Sequence, residues 1–208
     1  MISNSAHIGY KDRPVLLDRA VQDICRGLKS KFSWLDNAFG RAYKLTAYSA
    51  SGERYTYPAI YTGGGEYMSV LPNDNFGNFS WFEFYDPQVV STGFSPRLPE
   101  VTAEGAIVFW LDLHSIFDDS SVIYSEEVKN DILSFLSSPG IILGSGSLMV
   151  TSVYESVENL YRGYSLERAY SGTGSIGSVP YSIDRQYFMY PYYGFRFEFK
   201  LKIKETCL

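Results

Sequence analysis

The C-terminal segment of the chain alternates between apolar and charged residues over ten consecutive positions. The apolar positions are Phe195, Phe197, Phe199, Leu201 and Ile203, and the charged positions are Arg196, Glu198, Lys200, Lys202 and Lys204. A period of two is typical of a β-strand with one buried face and one solvated face. A slip of one residue would place all five charges in the core, so the register is strongly specified. The sequence therefore predicts a long structural strand over 195–204.

Other periodicities predict two helices among further strands. The spacing of apolar residues indicates an N-terminal helix over 13–31, which Asp12 would cap, and a second helix that Ser125 would cap. Alternation or apolar runs between glycine- and proline-rich turns predict the other strands, over 41–48, 54–61, 67–71, 79–85, 106–113 and 148–154. This order favours a single α+β domain over 1–208, with two helices packed on a mainly antiparallel sheet.

Two segments lack the periodicity of a helix or a strand. Residues 1–11 are polar and are interpreted as a flexible N-terminal arm. Residues 164–193 are rich in Tyr, Ser and Gly, and a structureless stretch of this length is uncommon in a compact domain. Because tyrosines argue against plain disorder, we predict a protruding arm that becomes ordered against a partner. An unstructured insertion is the alternative.

The aromatic content suggests a role in protein contacts. The chain has 18 Tyr, 14 Phe and 3 Trp, only 20% charged residues, and a net charge of −5. The acidic balance disfavours a general nucleic-acid binder. Surplus aromatic residues are typical of protein interfaces, although strands also favour them. We predict exposed subunit-interface residues at Phe76, Phe79, Trp81, Phe82, Tyr181, Tyr187, Tyr190 and Tyr192.

Signals for catalysis or cofactor binding are weak. A GxGxxG pattern at Gly172, Gly174 and Gly177 is neither preceded by a buried strand nor followed by a good helix start, so we interpret it as a loop. Asp112 and His114 end an apolar strand and could serve a metal or a general base, but a cluster of this kind at a strand end is usually solvated, and we favour that interpretation. We expect no enzyme activity, no cofactor and no metal.

The two cysteines and the hydropathy pattern bear on the compartment. Cys25 falls within the helical pattern and Cys207 lies in the C-terminal tail, so they form neither a disulfide framework nor a metal site. The N-terminus lacks the apolar run of a signal peptide, and no stretch approaches the length of a membrane span. We expect the chain to be made and kept in a reducing cytosol, without a membrane partner.

The order of these elements resembles tail-completion and tail-terminator proteins of tailed bacteriophages. The resemblance depends on the helix over 13–31, the β section after it, the strand–helix–strand unit over 106–154 and the amphipathic strand over 195–204. The aromatic-rich composition is also similar to that of neck ring proteins of crAss-like phages. This chain is longer than compact tail terminators, chiefly through 164–193 and the loops within 63–100.

The resemblance implies a tail-terminator-like α+β subunit with long loop and arm excursions. It also implies a virion protein without catalytic residues, which forms a homomeric ring of six- or twelve-fold symmetry at the head–tail junction. The partners would be further copies of the chain and the neighbouring portal, neck and tail proteins, with DNA only as passing cargo. Such a protein would reside in the virion after assembly in the cytoplasm of the host bacterium.

Two other classes of function stay open on the sequence. One is a cytosolic module that binds a carbohydrate or a peptide through exposed Trp81 and tyrosines. The other is an enzyme that uses Asp112 and His114.

Overall fold

A computed structural model describes nine parts of the chain, namely 10–48, 52, 54–72, 75–91, 100–117, 123–142, 145–155, 157–164 and 190–204. The helices in these parts are α1 (Leu16–Lys31), α2 (Leu113–Ile116), α3 (Ser125–Leu136) and α4 (Val157–Leu160). The strands are β1 (Asn37–Tyr48), β2 (Arg54–Gly63), β3 (Glu66–Ser69), β4 (Phe79–Phe84), β5 (Val89–Ser91), β6 (Glu100–Asp112), β7 (Ser145–Tyr154) and β8 (Tyr192–Lys204).

The eight strands form one sheet in the order β3-β2-β1-β4-β6-β8-β7, and β5 pairs with β6 beside β4. The β1–β4 pairing is parallel, and every other pairing among the described strands is antiparallel. The prediction of an α+β fold with a mainly antiparallel sheet is confirmed. The predicted strand over 106–113 is the inner part of β6, whose residues 105–111 are all buried.

One face of the sheet is covered by α1 and α3. The apolar stripe of α1 and the stripe of α3 pack on the apolar residues of β6 and β8. The main members of this first core are Leu17, Val21, Ile24, Leu28, Val128, Ile132, Ile107, Phe109, Phe195, Phe197, Phe199 and Leu201. The apolar half of the C-terminal alternation therefore faces the helices, as the period of two predicts.

The other face of the sheet carries a second core at one end. Phe79 and Trp81 of β4 lie there beside Val108 and Trp110 of β6. Leu160, Tyr161 and Tyr164, in and after α4, cover these residues together with Ile60, Val70 and Leu71. The rings of Trp81 and Tyr161 are stacked with centroids 5.5 Å apart. The two aromatic faces of β4 are thus both covered by the chain itself.

The prediction that all five charged residues of the last strand face solvent is only partly correct. Lys200, Lys202 and Lys204 are exposed, but Arg196 is fully buried and Glu198 is half-buried. Arg196 is buried because α4 and the segment after it cover this end of the sheet. The strand also begins at Tyr192 and not at Phe195.

Several predicted boundaries near the N-terminus are wrong. Helix α1 begins at Leu16, where a φ of 46° turns the chain, and its N-cap Val15 makes no side-chain hydrogen bond, so Asp12 is not the cap. Tyr10 is not part of a free arm, since its hydroxyl donates to the carbonyl of Ala38 at 3.2 Å and its ring packs on the first core. Residues 1–9 lie outside the described residues.

Two further differences concern strands. Strand β5 is absent from the strands that the sequence predicts and lies in the loop-rich region 63–100. In β7 a register shift between Val150 and Ser152 places Thr151 as an extra residue. Leu148 and Val150, which precede the shift, face the first core. Ser152, which follows it, pairs with Glu198, so Ser152 lies on the opposite face of the sheet.

Candidate interaction surface

Three of the aromatic residues predicted as exposed contacts are core residues. Phe79, Trp81 and Phe82 have no exposed surface. Phe82 faces the first core, whereas Phe79 and Trp81 are stacked in the second core with ring centroids 5.6 Å apart. The prediction of exposure is therefore wrong for these residues, because the helices cover one face of β4 and the α4 segment covers the other.

The other predicted contact residues differ among themselves. Phe76 is half-buried and packs edge-on against Phe39 and Phe79. Tyr192 is half-buried, with its ring stacked on Trp110 at a centroid distance of 6.5 Å. Tyr190 is the exposed member of this group, and its ring meets that of His114 edge-on at 5.2 Å. Tyr181 and Tyr187 lie outside the described residues, as do Gly172, Gly174 and Gly177.

An exposed aromatic cluster lies on the β1–β2–β3 hairpins. We call Tyr43, Tyr61, Tyr67 and Arg41 the tyrosine cluster. Tyr61 and Tyr67 are paired across β2 and β3, are 42% and 49% exposed, and meet edge-on with centroids 5.2 Å apart. Tyr43 meets Tyr67 edge-on at 6.2 Å. The guanidinium of Arg41 lies 5.4 Å from the ring of Tyr43, within the range of a cation–π contact.

The turn between β2 and β3 fixes this cluster. Gly63, Gly64 and Gly65 all have positive φ angles, which favour glycine. The amide of Gly65 donates to the hydroxyl of Tyr61 at 2.9 Å, so the Tyr61 ring is tied to its own turn. Rings held in this way lose little conformational freedom when they meet a partner. Sequence reasoning did not identify this cluster. The pattern that could have predicted it is the pair Tyr61 and Tyr67 on either side of the glycine turn, because a tight turn places such residues opposite each other in a hairpin.

A buried charge network lies on the face of the sheet that carries the second core, opposite to the face of the tyrosine cluster. The guanidinium of Arg196 donates to Glu83 at 2.9 Å and to the carbonyl of Leu160 at 2.9 Å. It also donates to the hydroxyl of Tyr85, and its Nε lies 3.6 Å from Glu198. The indole of Trp81 donates to the other oxygen of Glu83 at 3.2 Å.

Burial shifts the titration of this network. Burial raises the pKa of the Glu83 carboxyl, and the charge of Arg196 opposes the rise. Burial also raises the pKa of the Tyr164 hydroxyl, and the neighbouring charge of Glu83 adds to that rise. Perturbed groups of this kind occur at catalytic sites and in structural ion pairs alike. This network is enclosed between the sheet and the α4 segment, which suits a structural role.

The carboxylate of Asp112 contacts the backbone of His114. Asp112 is the N-cap of α2, and its carboxylate accepts the backbone amide of His114 at 3.0 Å. The described parts of the chain contain no group of three or more His, Cys, Asp or Glu that could hold a metal ion. Among the same parts, no helix is long and apolar enough to cross a membrane.

A groove of about 630 Å³ separates α1 from α3. The aromatic ring of Phe135 lies in its wall, and Arg26, Lys31 and Asp131 contribute charged groups. Gly27 allows α3 to approach, because a Cβ at this position would lie 2.7 Å from the Phe135 ring. The groove therefore combines an apolar surface with charges of both signs.

Comparisons with known proteins do not assign the chain to a family. No family model, no curated protein and no solved structure matches it.

Proposed function

We propose that the chain is a structural, non-enzymatic subunit of a homomeric ring in the neck or tail of a bacteriophage virion. The observation that carries the proposal is the tyrosine cluster, because exposed and preorganised aromatic rings supply the anchors of protein interfaces. The cluster replaces Phe79, Trp81 and Phe82 as the expected contact surface.

The placement in a phage neck or tail is supported by the resemblance of the element order to tail-completion and tail-terminator proteins. In this proposal the partners are further copies of the chain and the adjoining portal, neck or tail proteins. DNA would pass through the ring as cargo, and the acidic balance of 23 Asp and Glu against 18 Lys and Arg suits a lumen that does not hold DNA tightly. Assembly would take place in the cytoplasm of the host bacterium.

Negative-stain electron microscopy and mass photometry of the purified chain, over a concentration series, test the proposal. We expect closed rings of uniform size whose population increases with concentration. A chain that stays monomeric at every concentration would contradict a homomeric ring.

A pair of variants tests the role of the tyrosine cluster. We expect the double variant Tyr61→Ser/Tyr67→Ser to shift the assembly midpoint at least about tenfold toward higher concentration, equivalent to about 1.4 kcal/mol. Tyr48→Ser is the matched control, because Tyr48 is exposed on the same hairpin but belongs to none of the ring contacts of the cluster. If both variants assemble equally well, the tyrosine cluster is not part of the interface.

A second candidate function is a binding module for a peptide or a carbohydrate. The α1–α3 groove favours it, since ligand sites are concave and combine apolar walls with a few polar groups. The earlier basis for this alternative, an exposed Trp81, is wrong because Trp81 is buried. Titration with a pool of unstructured peptides, monitored by chemical shifts of Arg26 and Phe135, would identify such binding, and Phe135→Ala is the control.

A further inference from the structure

One end of the sheet is only four strands wide. Strands β4 and β5 pair with successive parts of the same edge of β6. At the end of the sheet where β5 takes this place, the strand order is β5-β6-β8-β7. Within the described residues, β5 pairs only with β6, and β7 pairs only with β8. This end of the sheet therefore has one open edge along β5 and another, on the opposite side, along β7.

Both open edges lack two of the features that protect edge strands against pairing, namely charged residues and proline. Natural edge strands carry charges or proline, which discourage pairing with another chain. The three residues of β5 and the ten residues of β7 include no charged residue and no proline. Exposed apolar side chains lie on both edges, with Val89 61%, Val90 60% and Met149 58% exposed. The bulge at Thr151 is outside the Ser147–Met149 part of β7.

We propose that β7 of one copy pairs with β5 of the next copy, so that the sheets of neighbouring subunits join edge to edge. The inference rests on the homomeric ring proposed above and names its contact. The chain directions are suitable. β5 and β8 run opposite to β6, and β7 runs opposite to β8, so β7 and β5 have opposite directions. When the sheet continues from one copy to the next, the two edges meet as an antiparallel pair.

The two faces of the sheet select a register. Val90 pairs with Val101 on the helix-covered face, and Leu148 faces the same side. Placing Val90 opposite Leu148 also places Val89 opposite Met149 on the other face. Both pairs are then apolar, and cross-strand apolar pairs stabilise a sheet.

The proposed contact is of the kind from which rings are built. The edges β5 and β7 are different surfaces on opposite sides of the subunit. A contact between different surfaces is heterologous, and its repetition gives a closed ring when the rotation between copies closes and an open filament when it does not. The tyrosine cluster, on β1, β2 and β3, lies beyond β4 on the β5 side of β6 and can add contact area.

Disulfide trapping tests the register. In a Cys207→Ser background we expect Val89→Cys/Met149→Cys to give, on oxidation, a ladder of linked species on non-reducing gels that ends at the ring size. Directly opposed residues have Cβ atoms about 4.5–5.5 Å apart, within reach of a disulfide after small adjustments. The matched control Val90→Cys/Met149→Cys places the thiols on opposite faces and should give no ladder. Equal ladders for both pairs, or none for either in assembled rings, would overturn the pairing.

A second variant blocks the edge without a thiol. Met149→Glu places a charge on the β7 edge opposite Lys200 of β8. Because an opposite-charge pair across two strands is favourable, we expect the fold of the subunit to be preserved. We expect ring assembly to fall more than about tenfold. Ile123→Glu is the control, because Ile123 is exposed and lies outside both edges.

The outcomes separate the inference from the proposed function. Rings in the wild-type chain, together with unaffected assembly of Met149→Glu and no trapping, would overturn the edge contact and leave the ring standing. A wild-type chain that never assembles would overturn both.

Discussion

Arg196 of β8 donates a hydrogen bond of 2.9 Å to Glu83 of β4, across the intervening strand β6. The two side chains are 0% and 6% exposed, so the pair is enclosed in the second core. Arg196 also bonds the carbonyl of Leu160, which ties the α4 segment to the sheet. A residue that the alternation of the last strand assigns to solvent thus connects two strands and a covering segment.

We expect Arg196→Met and Glu83→Leu each to lower the free energy of unfolding by about 3–5 kcal/mol, because each leaves a buried charge without its partner. Denaturant titration measures the loss. The double variant should lose clearly less than the sum, since two apolar side chains leave no buried charge. Additive losses would show that the two side chains are not coupled.

Acid should weaken a second charge pair. The hydrogen bond from Lys129, together with one from Tyr193, holds the pKa of Glu155 below its ordinary value of 4.5. Because the folded-state pKa is the lower one, the contribution is present above pH 4.5 and is lost as the pH falls through the folded-state pKa. Since the pair is partly exposed, we expect Glu155→Gln to cost no more than about 1 kcal/mol at neutral pH.

The test is a comparison of the free energies of unfolding of wild-type and Glu155→Gln from pH 7 to pH 3. The difference between them should shrink toward zero at the acid end. A difference that stays constant over this range would contradict the role assigned to the carboxylate.

Gly105 should resist substitution more strongly than Gly146. A Cβ at Gly105 would lie 2.1 Å from the backbone oxygen of Glu83, which the β4–β6 pairing holds in place. A Cβ at Gly146 would meet only the side chain of Ile142, at 2.7 Å, and that side chain can move. We expect Gly105→Ala to cost about 1–3 kcal/mol and to exceed the cost of Gly146→Ala. Thermal unfolding of both variants gives the comparison, and equal costs would refute it.

Tyr192 and Tyr190 should respond differently to replacement by Ser. Tyr192 stacks on Trp110 and packs on the second core, so Tyr192→Ser should lower the free energy of unfolding by at least about 1 kcal/mol. Tyr190 is exposed, and Tyr190→Ser should change stability by less than about 0.5 kcal/mol. Chemical denaturation distinguishes them, and a reversed order would place Tyr190 in the core.

The sequence alone was informative where a local period decides the structure. The alternation over 195–204 predicted which side chains of β8 face the helices, and the helical spacing of Leu17, Val21 and Ile24 predicted the buried stripe of α1. The apolar run over 106–113 predicted a strand, and the structure shows one there that is covered on both faces. In each case the types of residue and their spacing along the chain are sufficient to predict the element.

The sequence misled where distant segments meet. The aromatic residues of β4 were predicted as exposed contacts, but the helices cover one face of this strand, and α4 with the segment after it covers the other. The bulge at Thr151 reversed the facing of the end of β7, which no period in its sequence reveals. The tyrosine cluster became recognisable only when the pairing of β2 with β3 and of β1 with β2 was known.

The sequence by itself determined the strands other than β5, the two longer helices and the α+β class, because periodicity is a local property of the chain. Only the tertiary structure decided that Arg196 is buried, that Trp81 is in the core and that, within the described residues, β5 and β7 each pair on one side only. The burial or exposure of a residue depends on which distant segments cover its face of the sheet, and the local sequence pattern does not predict which segments these are.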